Sequence, residues 1–387
     1  MSPRLATFLV FLLNGGVFGT WAARVPALAG QVGAEVGSLG LALLGASVGL
    51  AFTAPLAARI CAVHGSRGVL LASSVLSPLM LPVLALSQSP LQLGLTLVAL
   101  GASVAAMDVS MNIAAVVVVR ELQRPLMPQF HAGFSVGGLI GSLGSAAAAQ
   151  AQWTPMRHFL VTAVVGVLVV AVIAKKVPGG VGERHREEVT ERTSVLKSPV
   201  LWLLASVALC SAIAEGAAAD WSALFMVRER GMGDAAGAYA YAGFSVTMAL
   251  SRWFGEPFQR RLGPHCLLAA GGGLAAAGLA LAVVVPFPAA GYAGFALAGL
   301  GLAFSFPVVM DLASDVGKRA DGSGGERELG LVTTIAYSGF LAGPPIVGGL
   351  AHVSSLVLSL GFVALVTALI IPATLLARRA ARRPARV

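Results

Sequence analysis

Two acidic residues, each near the centre of a long apolar stretch, are the side chains of this chain best placed to do chemistry. Asp108 lies in one stretch and Glu215 in another, about a hundred residues further on. A charged group at membrane depth costs about 2.5–3.5 kcal/mol on insertion scales, so it is a functional candidate by default. A carboxylate in a low-dielectric cavity can bind and release a proton. The sequence therefore predicts that Asp108 and Glu215 couple proton movement or contact a solute.

Two further polar residues extend this chemistry. Asn112 follows Asp108 by four residues and thus shares its helix face. Its amide can donate and accept hydrogen bonds, which suits a polar solute or a role in tuning Asp108. His131 opens a glycine-rich stretch and titrates near neutral pH, so we expect a proton relay there. The alternative for Asp108, Asn112 and His131 is that they only form hydrogen bonds between helices.

Aromatic and amide residues line one face of the first apolar stretch. Asn14, Phe18 and Trp21 follow one another at helical spacing, and Arg24 extends this face. An aromatic face beside an amide suits a ring-shaped, sugar-like polar solute, so Asn14 and Trp21 are predicted to bind substrate. The alternative is that the tryptophan is an anchor at the membrane interface.

Other candidates are assigned by their position along the apolar stretches. Trp221 and Tyr337 are predicted to line the substrate cavity together with Asn112. Asp220 lies toward one end of its stretch, and Arg24 follows the corresponding end of the first stretch, whereas Asp311 lies toward the other end of its own stretch. We expect these three charged residues to act as gates. The alternatives are a helix-to-helix bond for Asp220, and a loop charge or a substrate ligand for Asp311.

The composition requires a membrane protein. Hydrophobic residues make up 57% of the chain, charged residues 11%, and the mean hydropathy is +0.85, whereas soluble domains are about 45–50% apolar and about 25% charged. Twelve stretches, from Leu5–Ala23 to Val353–Leu376, are long enough to span a bilayer as helices. Most are apolar all round, which excludes the alternating strands of a β-barrel. The first stretch resembles a secretory signal but is retained as a helix, because the seventh stretch repeats it.

Several other classes of function find no support in the sequence. The three cysteines have no metal-type spacing, and no phosphate-binding loop of the Walker type is present. We therefore expect no metal, no cofactor and no enzymatic activity.

The distribution of basic residues predicts the orientation. With the N-terminus in the cytoplasm, 22 of the 26 Lys and Arg residues lie on the inner side. Basic residues accumulate in cytoplasmic loops, so both termini are expected inside. The same rule accounts for the net charge of +9 without a nucleic-acid partner.

The two halves of the chain resemble copies of one unit. The segment Gly16–Trp21 recurs as Gly216–Trp221, 200 residues later. An offset of 198 residues relates three further pairs, namely Gly45-Ala-Ser-Val48 and Gly243-Phe-Ser-Val246, Gly65 and Gly263, and Gly101 and Gly299. We expect two six-helix bundles, residues 1–174 and 199–377, joined by a polar cytoplasmic linker, 175–198, and followed by a basic tail, 378–387. Such repeats build a transporter site between two moving parts.

This arrangement resembles the major facilitator superfamily of secondary transporters over essentially the whole chain. The superfamily signature after the second helix is Gly-x-x-x-Asp-Arg-x-Gly-Arg. The matching segment here, Ala58–Arg67, keeps the Gly and the final Arg but lacks the acidic residue. The second copy, Glu256–Gly263, has Arg260 where Asp would stand. The resemblance implies that Arg67 and Arg260 belong to a cytoplasmic gate. Because the acidic residue of the signature is missing, the charge pairs of this gate must differ from the usual ones.

The chain also looks like a bacterial inner-membrane subgroup of that superfamily. The resemblance lies in three motifs: Ala214-Glu-Gly-Ala-Ala-Ala-Asp-Trp221, Asp108-x-x-x-Asn112 and Phe130-His131. Some relatives of the subgroup are sugar–proton symporters. The sequence therefore predicts an all-helical, monomeric transporter that contacts membrane lipids and moves a small polar solute with protons by alternating access. The alternatives are a proton-driven exporter of drugs or metabolites, and a receptor or scaffold that does not transport.

Overall fold

The protein is an all-helical bundle in this computed structural model, which describes residues 2–123, 126–179, 195–254, 256–317 and 325–381. The first half contains seven helices: α1 (Pro3–Ala22), α2 (Val25–Gln31), α3 (Val36–His64), α4 (Ser66–Leu84), α5 (Pro90–Leu122), α6 (Met127–Gln150) and α7 (Pro155–Ile173). The predicted linker and basic tail lie partly outside the described residues, from 180 to 194 and beyond 381.

The second half begins after a short 3-10 turn, Val195–Lys197. Its helices are α8 (Pro199–Arg230), α9 (Asp234–Phe254), α10 (Glu256–Leu262), α11 (Pro264–Val284), α12 (Pro288–Leu302), α13 (Ser305–Gly317), α14 (Glu326–Val353), α15 (Leu356–Ala368) and α16 (Ile370–Ala381). Because α12 continues into α13 and α15 into α16, this half crosses the bundle six times, as the first half does. We call the side where α1 begins and α16 ends the terminal face, and the other side the opposite face.

Local sequence explains where the helices begin. Five of them start after a Ser or Thr whose hydroxyl accepts a hydrogen bond from the backbone three residues on, namely Ser2, Ser89, Thr154, Ser198 and Ser355. Four of these caps are followed by proline, which lacks the N–H group that the first helical turn leaves unpaired anyway. Eleven segments of the described residues are apolar and long enough to cross a membrane. The remaining crossing is α9, which carries Tyr241, Ser245 and Arg252 toward the interior.

Equivalent helices pack in equivalent ways in the two halves. Helix α1 packs on α6 as α8 packs on α14, α3 on α5 as α9 on α12, and α4 on α7 as α11 on α15 and α16. The halves meet through α6 with α9 and through α3 with α14. The fold class predicted from the sequence, with six crossings in each half, is confirmed.

Single residues of the repeat reproduce each other's geometry. Gly65 and Gly263 both end a helix on the terminal face with nearly the same backbone angles, φ 84° and ψ 156° against φ 73° and ψ 162°. A methyl group at Gly101 would overlap the carbonyl oxygen of Ala46, and one at Gly299 would overlap that of Phe244. Ala46 and Phe244 are themselves 198 residues apart, so the repeated glycines preserve one helix-to-helix contact in each half.

One break distinguishes the copies. Helix α8 runs unbroken where the first half has α1, a break at Ala23–Arg24, and α2. Pro26 lies just inside α2, and a proline in a helix removes a hydrogen bond and clashes with the carbonyl four residues before it. The residue 200 positions on is Met226, which leaves α8 continuous. The break places Arg24 at the opposite face.

Candidate functional site

The first half contributes a carboxylate and a neighbouring amide to the centre of the bundle. Asp108 lies midway along α5 and is half-buried. The amide of Asn112 donates to the Asp108 backbone carbonyl at 2.9 Å and lies 3.4 Å from its Oδ1. Tyr337, from α14 of the other half, lies within electrostatic range of Asp108. The structure thus brings together three of the predicted site residues across the interface between the halves.

The second half contributes an ion pair. Glu215 lies midway along α8, and its Oε1 is 4.0 Å from Nη2 of Arg252 on α9. Both side chains are partly exposed, 30% for Glu215 and 23% for Arg252. Tyr241 lies on α9, as Arg252 does, and is within electrostatic range of both Glu215 and Arg252.

A proline fixes the position of Arg252. Because Pro307 has no N–H group, the carbonyl of Ala303 loses the donor that an unbroken helix would supply four residues later. This is the point where α12 ends and α13 begins. Nε of Arg252 donates to that carbonyl at 3.1 Å. The break in the tenth crossing therefore anchors the guanidinium beside Glu215.

The sequence does not single out Arg252 as a site residue. It lies two residues before the end of the eighth predicted stretch, Ala238–Phe254, and so counts among the basic residues of the inner side. The structure instead pairs it with Glu215 inside the bundle. A signal was present, since α9 is the crossing that falls short of the hydropathy typical of the others and so has polar residues to bury.

His131 lies in the second turn of α6 and joins the same cluster. Its ring packs edge-on against Phe11, 5.3 Å between centroids, and lies within electrostatic range of Arg252 on the other half. Its side chain is exposed. Asp108, Asn112, Tyr337, Glu215, Arg252 and His131 form what we call the central cluster.

Solvent reaches the central cluster from the terminal face. Val116 and Tyr337 are 37% and 41% exposed, and they lie on the faces of α5 and α14 that carry Asp108 and its neighbours. Thr334 and Ser338, on the same face of α14 as Tyr337, are exposed as well. The cavity between the halves is therefore open on this side.

The opposite face is closed by contacts between the halves. Arg228 at the end of α8 donates to the Ala34 carbonyl at 3.0 Å, and Gln150 donates to the hydroxyl of Tyr239 at 2.8 Å. Glu35 and His352 lie 3.9 Å apart. These contacts join α8, α9 and α14 to the first half at the ends away from the termini.

Arg24 takes part in this closure. It is buried, its Nη2 donates to the Trp153 carbonyl at 3.1 Å, and its Nε lies 3.4 Å from Nδ1 of His158. Burial lowers the pKa of the Arg24 guanidinium, and Asp234, at the start of α9 in the other half, partly offsets this. The predicted gate residue therefore lies where the halves meet on the opposite face.

An aromatic layer separates the central cluster from the opposite face. Phe18 packs on Trp21, Phe134 and Tyr241, with centroid distances of 5.4, 6.3 and 6.2 Å. Tyr241 comes from α9, so this layer also spans the two halves. Asp220, on α8, is buried within electrostatic range of Tyr241.

Three residues predicted to bind substrate are not brought to the cavity in this conformation. Trp21 and Trp221 are 4% and 0% exposed, and Asn14 is 1% exposed. The amide of Asn14 lies 3.6 Å from the sulfur of Met111 inside the first half. The face shared by Asn14, Phe18 and Trp21 packs against neighbouring helices, and its Phe18 contacts Tyr241 of the other half.

The remaining predicted gate residues lie toward the terminal face. Arg67 is exposed at the start of α4 and donates to the Ala174 carbonyl, at the end of α7, at 3.1 Å. Arg260 on α10 and Asp311 on α13 are exposed as well. All three predicted gate residues are therefore exposed toward the terminal face.

Comparison with known proteins places the chain in a family. Residues 6–325 match the model of the Major Facilitator Superfamily, and the chain belongs to this family of secondary transporters, which are not enzymes. It is 32% identical to an uncharacterized MFS-type transporter of Yersinia pestis over 367 residues, which cover 94% of this chain and 93% of that protein.

Two solved structures share the fold. One is a bacterial homolog of the human lysosomal transporter Spinster in an inward-facing, unoccupied conformation, with a TM-score of 0.77 and 14% identity, covering 100% of this chain and 98% of that one. The other is a variant of the nucleoside transporter NupG, with a TM-score of 0.76 and 11% identity, covering 98% of this chain and 100% of that one. Identities this low show the fold alone.

Proposed function

We propose that this transporter moves a small polar organic solute across the cytoplasmic membrane of a bacterium, coupled to protons. The observation that supports it best is the central cluster, in which both halves contribute titratable side chains to one solvent-reached cavity. A helix bundle without a coupled cargo gains nothing from carboxylates at this depth, since each one costs free energy to insert.

The two carboxylates have different surroundings, which supports different roles. The described neighbours of Asp108 are neutral, an amide and a phenol, so its charge changes the cavity each time a proton binds or leaves. Glu215 has a guanidinium beside it, which compensates its charge. Asp108 is therefore the better candidate for the group that carries the coupling proton. Glu215 is the better candidate for the group whose protonation controls solute binding.

Alternating access follows from the two faces of the molecule. The cavity opens at the terminal face and is closed at the opposite face by contacts between α8, α9, α14 and the first half. Breaking those contacts and closing the terminal face would expose the same cluster to the other side. A secondary transporter of this fold needs only such a rocking of one bundle against the other.

Substrate-dependent proton flux in proteoliposomes tests this function. A thermal-shift screen of sugars, organic acids and drugs on the purified protein supplies the solutes. We expect a hit from that screen to drive alkalinisation or acidification of the vesicle lumen with the wild-type protein and not with empty vesicles. Solute movement at an unchanged rate with no proton flux, under either polarity of the pH gradient, would contradict proton coupling.

Reporter fusions test the proposed orientation. A reporter placed after Lys176 and another after Arg383 should both give a cytoplasmic signal, because 22 of 26 basic residues then lie inside. A reporter after Trp153, in the loop between α6 and α7, is the matched control and should give a periplasmic signal. A periplasmic signal from either of the first two fusions would refute cytoplasmic termini.

A further inference from the structure

Arg252 brings a positive charge into the central cluster, and among the described residues only part of its guanidinium has a hydrogen-bond partner. Its Nε is held by the Ala303 carbonyl at 3.1 Å. Its Nη2 is 4.0 Å from Glu215, whereas a hydrogen bond between a cation and a carboxylate is about 2.7–2.9 Å long. The planar end of the side chain is therefore fixed in orientation and still has donors to offer.

A guanidinium held in this way is suited to one kind of ligand. Its parallel N–H groups match the two oxygens of a carboxylate, which lysine cannot do. The side chain is 23% exposed, on the wall of a cavity that opens to solvent. The apolar rings of Phe18 and Phe134 close the cavity toward the opposite face and could contact the rest of an organic anion.

Glu215 decides whether an anion can bind there. While Glu215 is charged, it neutralises Arg252 and repels a second carboxylate. When Glu215 takes a proton from cavity water, it becomes neutral and leaves the guanidinium uncompensated. Titratable groups also lie on the helix of Glu215 and on helices that pack against it: Asp220 and Glu229 on α8, Asp234, Tyr239 and Tyr241 on α9, Glu328, Tyr337 and His352 on α14, and Asp311 and Asp315 on α13. His131 on α6 and Asp108 on α5 are the further titratable members of the central cluster.

We propose that the transported solute carries a carboxylate, and that this carboxylate binds Arg252 once Glu215 has taken up a proton. The inference rests on the proposed proton-coupled transport and names the chemical class of its solute. The proton on Glu215 cancels the charge of the anion, whereas the coupling proton on Asp108 is a second one, so each cycle carries one net positive charge across the membrane. After the halves rock, loss of the proton restores the Glu215 charge and expels the anion.

Matched acid and amide pairs test this proposal on the purified full-length protein. The pairs are lactate and lactamide, benzoate and benzamide, and succinate and succinamide. We expect at least one acid to raise Tm while its amide does not, and its binding to be stronger at pH 5.5 than at pH 8. Carboxylic acids titrate at about pH 4, so the probes remain largely anionic between pH 5.5 and pH 8.

Four variants separate charge from structure. Glu215→Gln should bind the acid at least about tenfold more tightly at pH 8, which is a gain of about 1.4 kcal/mol, and should lose most of the pH dependence. Arg252→Gln should lose binding. The double variant, Glu215→Gln with Arg252→Gln, leaves no buried unpaired charge and should fold yet bind no acid. Arg379→Gln, exposed at the end of α16, is the control and should behave as the wild type.

The possible outcomes divide clearly. Amides that stabilise the protein as well as their acids, a double variant that still binds an acid, or no acid effect on either wild type or Glu215→Gln would each overturn the carboxylate class. Proton-coupled transport of a neutral solute would leave the proposed function standing and refute this inference. Acid binding through Arg252 without any proton flux would support the carboxylate class of the solute and refute proton-coupled transport.

Discussion

Replacing Asp108 by Asn should abolish concentrative transport while leaving exchange of solute across the membrane. The amide keeps the size of the side chain and removes the group that takes up a proton. One charge that moves through 100 mV contributes about 2.3 kcal/mol, equivalent to about 50-fold accumulation. We expect this accumulation to fall to equilibrium in proteoliposomes, whereas counterflow of labelled solute remains measurable.

Two controls make the result specific to the carboxylate. Asp108→Glu keeps the titrating group and should retain part of the accumulation. Glu121→Gln removes an exposed carboxylate from the end of the same helix and should leave transport unchanged. If Asp108→Asn accumulates solute and moves protons at the wild-type rate, Asp108 is structural, and the coupling site must be sought elsewhere.

The fold was predictable because its signals are long and repeated. Twenty-residue apolar stretches leave few choices of secondary structure, and the twelve spans predicted from hydropathy agree with the twelve crossings to within a few residues. The short helices α2 and α10 correspond to no predicted span. The glycines at 65 and 263 mark the same turn in both halves, since each adopts a positive φ that other residues rarely tolerate. The sequence did not predict the break between α12 and α13.

The site was only partly predictable, because burial and partnership depend on contacts between distant helices. Position within an apolar stretch was enough to select Asp108 and Glu215. The partner of Glu215 could not be inferred from spacing, since Arg252 is held by the carbonyl of Ala303, 51 residues later, which Pro307 leaves without a helical donor. Helical spacing put Asn14 and Trp21 on a common face but could not tell whether that face lines a cavity or packs on neighbouring helices, as it does here.

Motion between the halves can be tested by locking the opposite face. A Cβ built on Gly37, near the start of α3, lies 3.0 Å from the Cβ of His352, in the last turn of α14. Disulfides join Cβ atoms about 3.5–4.5 Å apart, so a small relaxation allows Gly37→Cys and His352→Cys to pair. We expect the oxidised double variant to lose transport almost completely, because the two halves can no longer separate on that side.

The cross-link must be reversible and specific to be informative. The native cysteines, two buried and one exposed, are first replaced by alanine. Dithiothreitol should then restore transport, and each single-cysteine variant should remain active under oxidation. Solute binding from the terminal face should survive in the locked protein, because the central cluster lies on the open side of the lock. Full transport by protein shown to be cross-linked would mean that the halves do not part at α3 and α14, and alternating access through that interface would be refuted.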